Sequence, residues 1–322
     1  MPQKILYYMK KGLRDLRRPL VYPVAENMSS ERLGHYYFVF DRARLLAGGS
    51  FEYRLDAHGL PMIPASRAKA TGWHHHPIPM SQFGLAVFHD HVDSRDPEAI
   101  DLFLRIADWF VRNAKMDPVR GAIWEIATPF PRYGLRPGWI SAMAQGRAAS
   151  ILARAYQATG DENYRRLADD GLRSLSIDSY QGGVRSRHGD AVCFEEYPGN
   201  PAPHVLNGMV FALWGVLDLQ RVTGAPHLEA VWNQGVEGLR ILAPLHDCGF
   251  WTRYSILDLN GDRNVHLATR HYHHIHIRQM QVMHKITDEP VFDDLAHRWE
   301  GYDRTRNYWR IYANKIRDLD IG

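Results

Sequence analysis

Residues 161–173 read Asp-Glu-Asn-Tyr-Arg-Arg-Leu-Ala-Asp-Asp-Gly-Leu-Arg, and the spacing inside this stretch decides the fold. Tyr164, Leu167, Ala168 and Gly171 fall at i, i+3, i+4 and i+7, one stripe of an α-helix. Arg165, Arg166, Asp169, Asp170 and Arg173 take the opposite side. The stripe recurs upstream as Ile100, Phe103, Leu104, Ala107. Downstream it returns as Leu228, Val231, Trp232, Gly235 and as Phe292, Leu295, Ala296, Trp299. Successive copies are 64 residues apart. Most open on a helix-start signal: Asp96-Pro97, Asp161-Glu162, Ala225-Pro226 and Asp288-Glu289-Pro290.

Each amphipathic copy follows a segment that is apolar nearly all round: Gln82 to His91, Trp139 to Ala158, His204 to Val222 and Tyr272 to Ile286. A helix without a polar face belongs inside. Four inner–outer hairpins predict a mainly α chain built as an α/α barrel, with the inner helices lining a cavity. An open solenoid is the alternative, but solenoids of helix pairs use shorter repeats of ~34–47 residues. The extra length here lies in loops after the outer helices, Pro118 to Pro137, Ser179 to Pro203 and His246 to His271. Each carries a Gly-led, strand-like piece at Gly121, Gly182-Gly183 or Gly249. Equivalent places in the repeat should gather these loops at one end, where sites are usually built.

The first 73 residues break the pattern. His35 to Phe40 and Ser50 to Leu55, around Ala47-Gly48-Gly49, read as a β-hairpin. The expected organisation is therefore a small N-terminal β-containing appendage (1–73) and a catalytic barrel (74–322). The net charge of +3, from 39 Lys+Arg and 36 Asp+Glu, carries no nucleic-acid signature. Cys193 and Cys248 form no disulfide framework. Neither a signal peptide nor a membrane-spanning run is visible, which places the chain, if complete, in the cytoplasm.

Candidate functional residues crowd the loops. Phe194-Glu195-Glu196-Tyr197-Pro198 is followed by Val205-Leu206-Asn207-Gly208. Thr252-Arg253-Tyr254-Ser255 and the stretch from Leu267 to His276 supply further polar and aromatic groups. His74-His75-His76 and His271, His273, His274 and His276 lack the cysteines or third-ligand spacing of a zinc site, so no metal is expected. Arg132, Arg136, Arg147, Arg185, Arg187 and Arg270 could meet an anionic sugar, most such charges being ordinarily paired on the surface.

These stretches resemble the C-terminal domain of D-glucuronyl C5-epimerases, which turn glucuronate into iduronate in heparan sulfate and heparin precursors. The likeness runs from Pro77-Ile78-Pro79-Met80-Ser81-Gln82-Phe83-Gly84-Leu85 through Trp139 to Arg147. It continues through Phe194 to Pro198 and Val205 to Gly208, and ends on Leu267-Ala268, Tyr272-His273, His276-Ile277 and Gln279. The family's α/α barrel agrees with the repeat. The resemblance implies catalytic roles for Tyr197, Tyr254, Tyr272 and Glu196. It implies substrate contacts from Gln82, Gln145, Arg147, Arg185, Asn207, Arg270, His273 and His276. The chain departs from the family pattern at Ser255, where an acidic residue is usual, and at Arg270-His271, where Trp-Asp is usual.

Inversion at C5 removes a proton next to a carboxylate and returns one to the other face, through an enediolate-like dianion. The resemblance with this chemistry suggests Tyr254 and Tyr272 on opposite faces of the sugar, Tyr197 or Glu196 as their partner, and Arg270, His273 or His276 neutralising the carboxylate. A positive groove including Arg185, Arg187 and Arg270 would track an acidic polysaccharide. No cofactor and no nucleic-acid partner is implied, and a homodimer is left open. A uronate lyase would share the abstraction but expel the C4 substituent, and an inactive glycan-binding protein would do neither.

Overall fold

The computed structural model describes residue 13 and residues 22–28, 30, 32–48, 52–65, 72–260 and 265–317. A short helix α1 (Arg42–Leu46) precedes four helical hairpins. These are α2 (Pro77–Ser94) with α3 (Pro97–Asn113), α4 (Ala142–Thr159) with α5 (Glu162–Leu172), α6 (Leu206–Thr223) with α7 (Pro226–Leu242), and α8 (Arg270–Thr287) with α9 (Pro290–Glu300). A further helix, α10 (Thr305–Arg317), lies beyond the last repeat. The first helix of each pair is the buried one. In α2 every residue from Pro77 to His89 is buried, and in α4 every residue from Ala142 to Ala155. The second keeps only its stripe inside: in α9, Phe292, Leu295, Ala296 and Trp299.

The caps explain the hairpins. Asp96 and Asp161 accept from the backbone N–H groups of Glu98 and Asn163, satisfying donors the first turn leaves orphaned. Each buried helix ends on a left-handed residue that turns the chain back: Arg95, Gly160, Gly224 and Asp288, at φ of 58°, 73°, 64° and 57°.

Two compact units share these elements. The larger holds Pro23–His204 and Gly208–Leu239. In its core Trp214 packs against Tyr36, Tyr37, Phe38 and Phe211. Arg154 and Asp218 form a fully enclosed ion pair at 2.6 Å, to which the Tyr37 hydroxyl adds a hydrogen bond. The smaller unit includes Val205–Asn207 and Arg240–Gly322. Its core gathers Trp251, Leu267, Tyr308, Ile311 and Tyr312.

The N-terminal β-structure differs in register from the expectation. β1 (Arg54–Leu55) pairs forward with β2 (Pro61–Pro64), which pairs with β3 (Trp73–His74), making a three-stranded antiparallel sheet. Among the described residues, His35 to Phe40 does not pair with residues 52–55: Phe38 bridges Val24 instead, and Arg42–Leu46 is helical. Gly49, Ser50 and Phe51 lie outside the described residues. The Asp56-Ala57-His58-Gly59 turn makes the short forward hairpin, with Asp56 accepting from the N–H groups of His58 and Leu60. Among the described residues no helix is long and apolar enough to cross a membrane.

Candidate active site

In the larger unit the loop after α3 forms a hairpin, β4 (Lys115–Asp117) against β5 (Gly121–Ile123), and the loop after α5 a second, β6 (Arg185–His188) against β7 (Ala191–Phe194), that delivers Glu195, Glu196 and Tyr197. The delivery is firmly held. The Glu195 backbone bonds to Val184 on one side and to Ala142 at the start of α4 on the other. Its buried carboxylate accepts from the Ser186 hydroxyl and from the His204 backbone N–H, and lies 2.7 Å from His204 Nδ1. Tyr197 is clasped by aromatic rings from the previous loop, with Phe130 and Tyr133 each stacked at 4.8 Å and Trp139 at 5.6 Å. Within this unit two of the long loops therefore do meet.

Glu196 is buried against Gly208, where a Cβ would stand 2.3 Å from the Glu196 side chain, so only glycine fits there. Its charge acts on Arg147 of α4. That guanidinium lies over the Phe211 ring at 3.9 Å and near Phe40 at 5.7 Å. Tyr36 and Tyr53 feel its charge, and burial pushes both phenols well above the usual tyrosine range. The Tyr53 hydroxyl donates to Gln82 Oε1 at 3.4 Å.

In the smaller unit a two-stranded ladder joins the loop after α7 to the start of α8. The Tyr254 N–H bonds to the His266 carbonyl, Ala268 N–H to the Thr252 carbonyl, and Arg253 bridges Leu267. Trp251 locks the ladder by donating its indole N–H to the Ala268 carbonyl and stacking on His273 at 3.7 Å. Thr269 then caps α8 by accepting from the Tyr272 N–H. The ladder and cap bring the Tyr254 and Tyr272 rings edge to face, 4.7 Å between centroids. His266 lies edge-on to Tyr254 at 5.0 Å with its Nδ1 3.1 Å from the Ser255 hydroxyl, and His271, bonded to the Tyr22 hydroxyl, lies beside Tyr272. The two departures from the family pattern, Ser255 and His271, thus sit in one histidine-rich collar around the tyrosine pair.

Several expected contacts are corrected. The Tyr254 and Tyr272 rings touch edge to face, which leaves no gap between them for a sugar ring. Gln145 is structural: fully buried, it donates to the Ala122 and Gly171 carbonyls and accepts from the Trp124 N–H. His273 and His276 do not offer positive charge. Both are fully buried, share the Thr252 hydroxyl, and are held neutral because burial disfavours the imidazolium, to about 3 for His273. Arg270 is paired with Asp303, which also binds His274, and Arg185 with Asp178. These cations are already neutralised, so the expected positive groove does not rest on them. Asn207 is buried, and its backbone carbonyl accepts from the Gln279 side-chain amide.

His76 serves as the N-cap of α2, and His75 bonds to Pro61 and faces Asp56. Among the described residues one set of metal-ligating atoms comes together, Cys193, Glu195 and His204, within 4.8 Å of one another. Their polar atoms are already turned on each other and on Ser186. Tyr36, Phe40 and Tyr53 were read only as hairpin residues, because they lie outside the repeat and outside the family's motifs.

Comparison with known proteins places the fold and the family. The fold matches that of cellobiose 2-epimerase from Bacillus thermoamylovorans, with a TM-score of 0.54 at 12% identity, over 81% of this chain and 67% of that one. The fold class is accordingly the mainly helical α/α toroid. A D-glucuronyl C5-epimerase of Caenorhabditis elegans is 32% identical over 217 residues, 62% of this chain and 34% of the worm protein. An uncharacterized protein of Methanocaldococcus jannaschii is 27% identical over 181 residues, 55% of this chain and 56% of the archaeal one. The chain thus spans between a third and little more than half of these relatives' length. The model of the D-glucuronyl C5-epimerase C-terminus matches residues 120–301, more than half of the chain, and this protein belongs to that family.

Proposed function

We propose that the chain inverts C5 of D-glucuronate units in an acidic polysaccharide, giving L-iduronate. The observation that carries the reading is the Tyr254–Tyr272 pair, set on a locked ladder and a helix cap within a collar of histidines. One group takes the proton as the C5–H bond breaks, and its electron pair spreads into the carboxylate as an enediolate. A second proton then reaches C5 from the opposite face. Tyrosine is a strong enough acid to quench an enediolate, and serves as a base where neighbouring groups stabilise the phenolate. In the larger unit Glu196 and Tyr197 are the second set of proton-handling candidates, Glu196 by its carboxylate and Tyr197 by its clasped phenol.

The test is incubation with an unsulfated glucuronate polymer in D2O. Deuterium at C5 together with iduronate in the product supports the proposal. Near-ultraviolet absorbance from a new C4–C5 double bond would make the chain a lyase, and binding without label would leave a glycan-binding protein.

A further inference from the structure

Arg147 and Arg154 lie two turns apart on the same helix, so they share a face. Both are buried, at 3% and 0% exposure, yet only Arg154 is held in an ion pair among the described residues. Arg154 grips Asp218 at 2.6 Å and donates to the Ser150 carbonyl as well. Arg147 forms no ion pair among the described residues. The Glu196 carboxylate acts on its charge, and burial lowers its affinity for its proton. Its Nε is enclosed without a hydrogen-bond partner, and the Tyr36 hydroxyl lies near both the guanidinium and the Ser150 hydroxyl.

A desolvated guanidinium is costly unless an anion meets it. The Phe211 face at 3.9 Å offsets part of that cost, a cation–π contact being worth about 0.5–2 kcal/mol, but it offers no acceptor. Water could satisfy the orphaned Nε without neutralising the charge. A planar, bidentate anion does both, and a carboxylate fits the guanidinium fork best.

We propose that Arg147 receives the carboxylate of the bound uronate, in a site walled by Phe40, Phe211, Tyr36 and Tyr53. This rests on the uronate-epimerase reading, taken with Glu196 and Tyr197 as its proton-handling groups in the same unit, and assigns the carboxylate site to a residue of α4. As the C5–H electron pair moves into the carboxylate, its negative charge grows against a fixed cation, which favours the enediolate over the ground state. The guanidinium stays protonated throughout and neither gives nor takes a proton.

The test compares wild type, Arg147→Lys and Arg147→Met by calorimetric titration with a heparosan hexasaccharide and with its carboxyl-reduced form. Thermal melting without sugar is recorded in parallel. Wild type should prefer the acid sugar. Arg147→Met should lose that preference by about ten- to hundredfold, the range for a hydrogen bond to a charged group, while melting no lower than wild type. Arg147→Lys, which keeps the charge without the fork, should retain part of it. A folded Arg147→Met that still prefers the acid sugar overturns the proposal. A large fall in its melting temperature does so too, because the charge would then be structurally compensated. The epimerase reading fails separately: a wild type that prefers the carboxylate through Arg147 but exchanges no hydrogen at C5 keeps this site and loses that reaction.

Discussion

Tyr254 and Tyr272 are separated by one hydroxyl each from phenylalanines that would pack the same way, which makes them sharp probes. Tyr254→Phe and Tyr272→Phe should each lower inversion by about 10²–10⁴-fold, the usual loss for a positioned acid or base, with the fold retained. Exchange at C5 and inversion should be followed separately, since a site missing one of its two groups can still wash out hydrogen on the remaining face. Near wild-type inversion in either variant removes that tyrosine from the mechanism. Asp218 makes a stability prediction of the same kind. It balances Arg154 and accepts from Tyr37, all out of water. Asp218→Ala should lower unfolding free energy by about 3–5 kcal/mol in a denaturant titration, because it strands a buried cation. A loss under 1 kcal/mol would mean that water reaches the pair.

At the scale of elements, each hairpin reverses through one left-handed residue, and the chain uses glycine at only two of the four. Arg95 and Asp288 hold φ of 58° and 57° against their own Cβ atoms. An L side chain in that region costs about 1–2 kcal/mol, less for Asp than for Arg. Arg95→Gly should therefore raise the melting temperature, and Gly160→Ala should lower it by a comparable amount. If Arg95→Gly melts lower, contacts of the arginine side chain outweigh the strain. Closer in, α4 and α6 touch through glycine: a Cβ on Gly215 would stand 2.0 Å from the Gly146 carbonyl oxygen. Gly215→Ala must push two backbones apart, next to Arg147, whereas Gly34→Ala, with nothing within 4 Å, is the matched control.

The whole molecule carries a set of histidines that must stay neutral. His76, His89 and His273 are each brought down by burial from 6.5 to about 3, and His276 is lowered well below 6.5. Because these folded-state values lie below those of the unfolded chain, the unfolded chain takes up protons first as pH falls. Stability is therefore complete above about pH 6.5 and declines from there toward pH 3, by up to ~1.4 kcal/mol per pH unit for each histidine. Melting temperature should fall steeply between pH 6.5 and 5, and His89→Gln should flatten the slope. A melting temperature that does not change between pH 7 and 5 would show that these rings accept protons in the folded protein.

The helical hairpins were legible from sequence because amphipathic periodicity is local: the Phe292, Leu295, Ala296, Trp299 stripe is spelled out within three turns of chain, and it is buried as read. The start signals at Asp96 and Asp161 were equally local, since a cap bonds within its own turn. The strand-like pieces led by Gly121 and Gly182-Gly183 came out close to β5 (Gly121–Ile123) and β6 for the same reason. Family membership was also visible, in motifs strung along the chain in order. What sequence could not say is how each polar side chain spends its hydrogen bonds. Gln145, His273 and His276 stood in those motifs as site residues, yet their partners are backbone carbonyls and a threonine hydroxyl brought from other elements. Arg147 and Arg154 look alike in sequence, and only the packing of α6 decides that one meets Asp218 and the other faces Phe211. Periodicity records which side of a helix leaves water, whereas the state of a buried charge depends on what the tertiary fold sets against it.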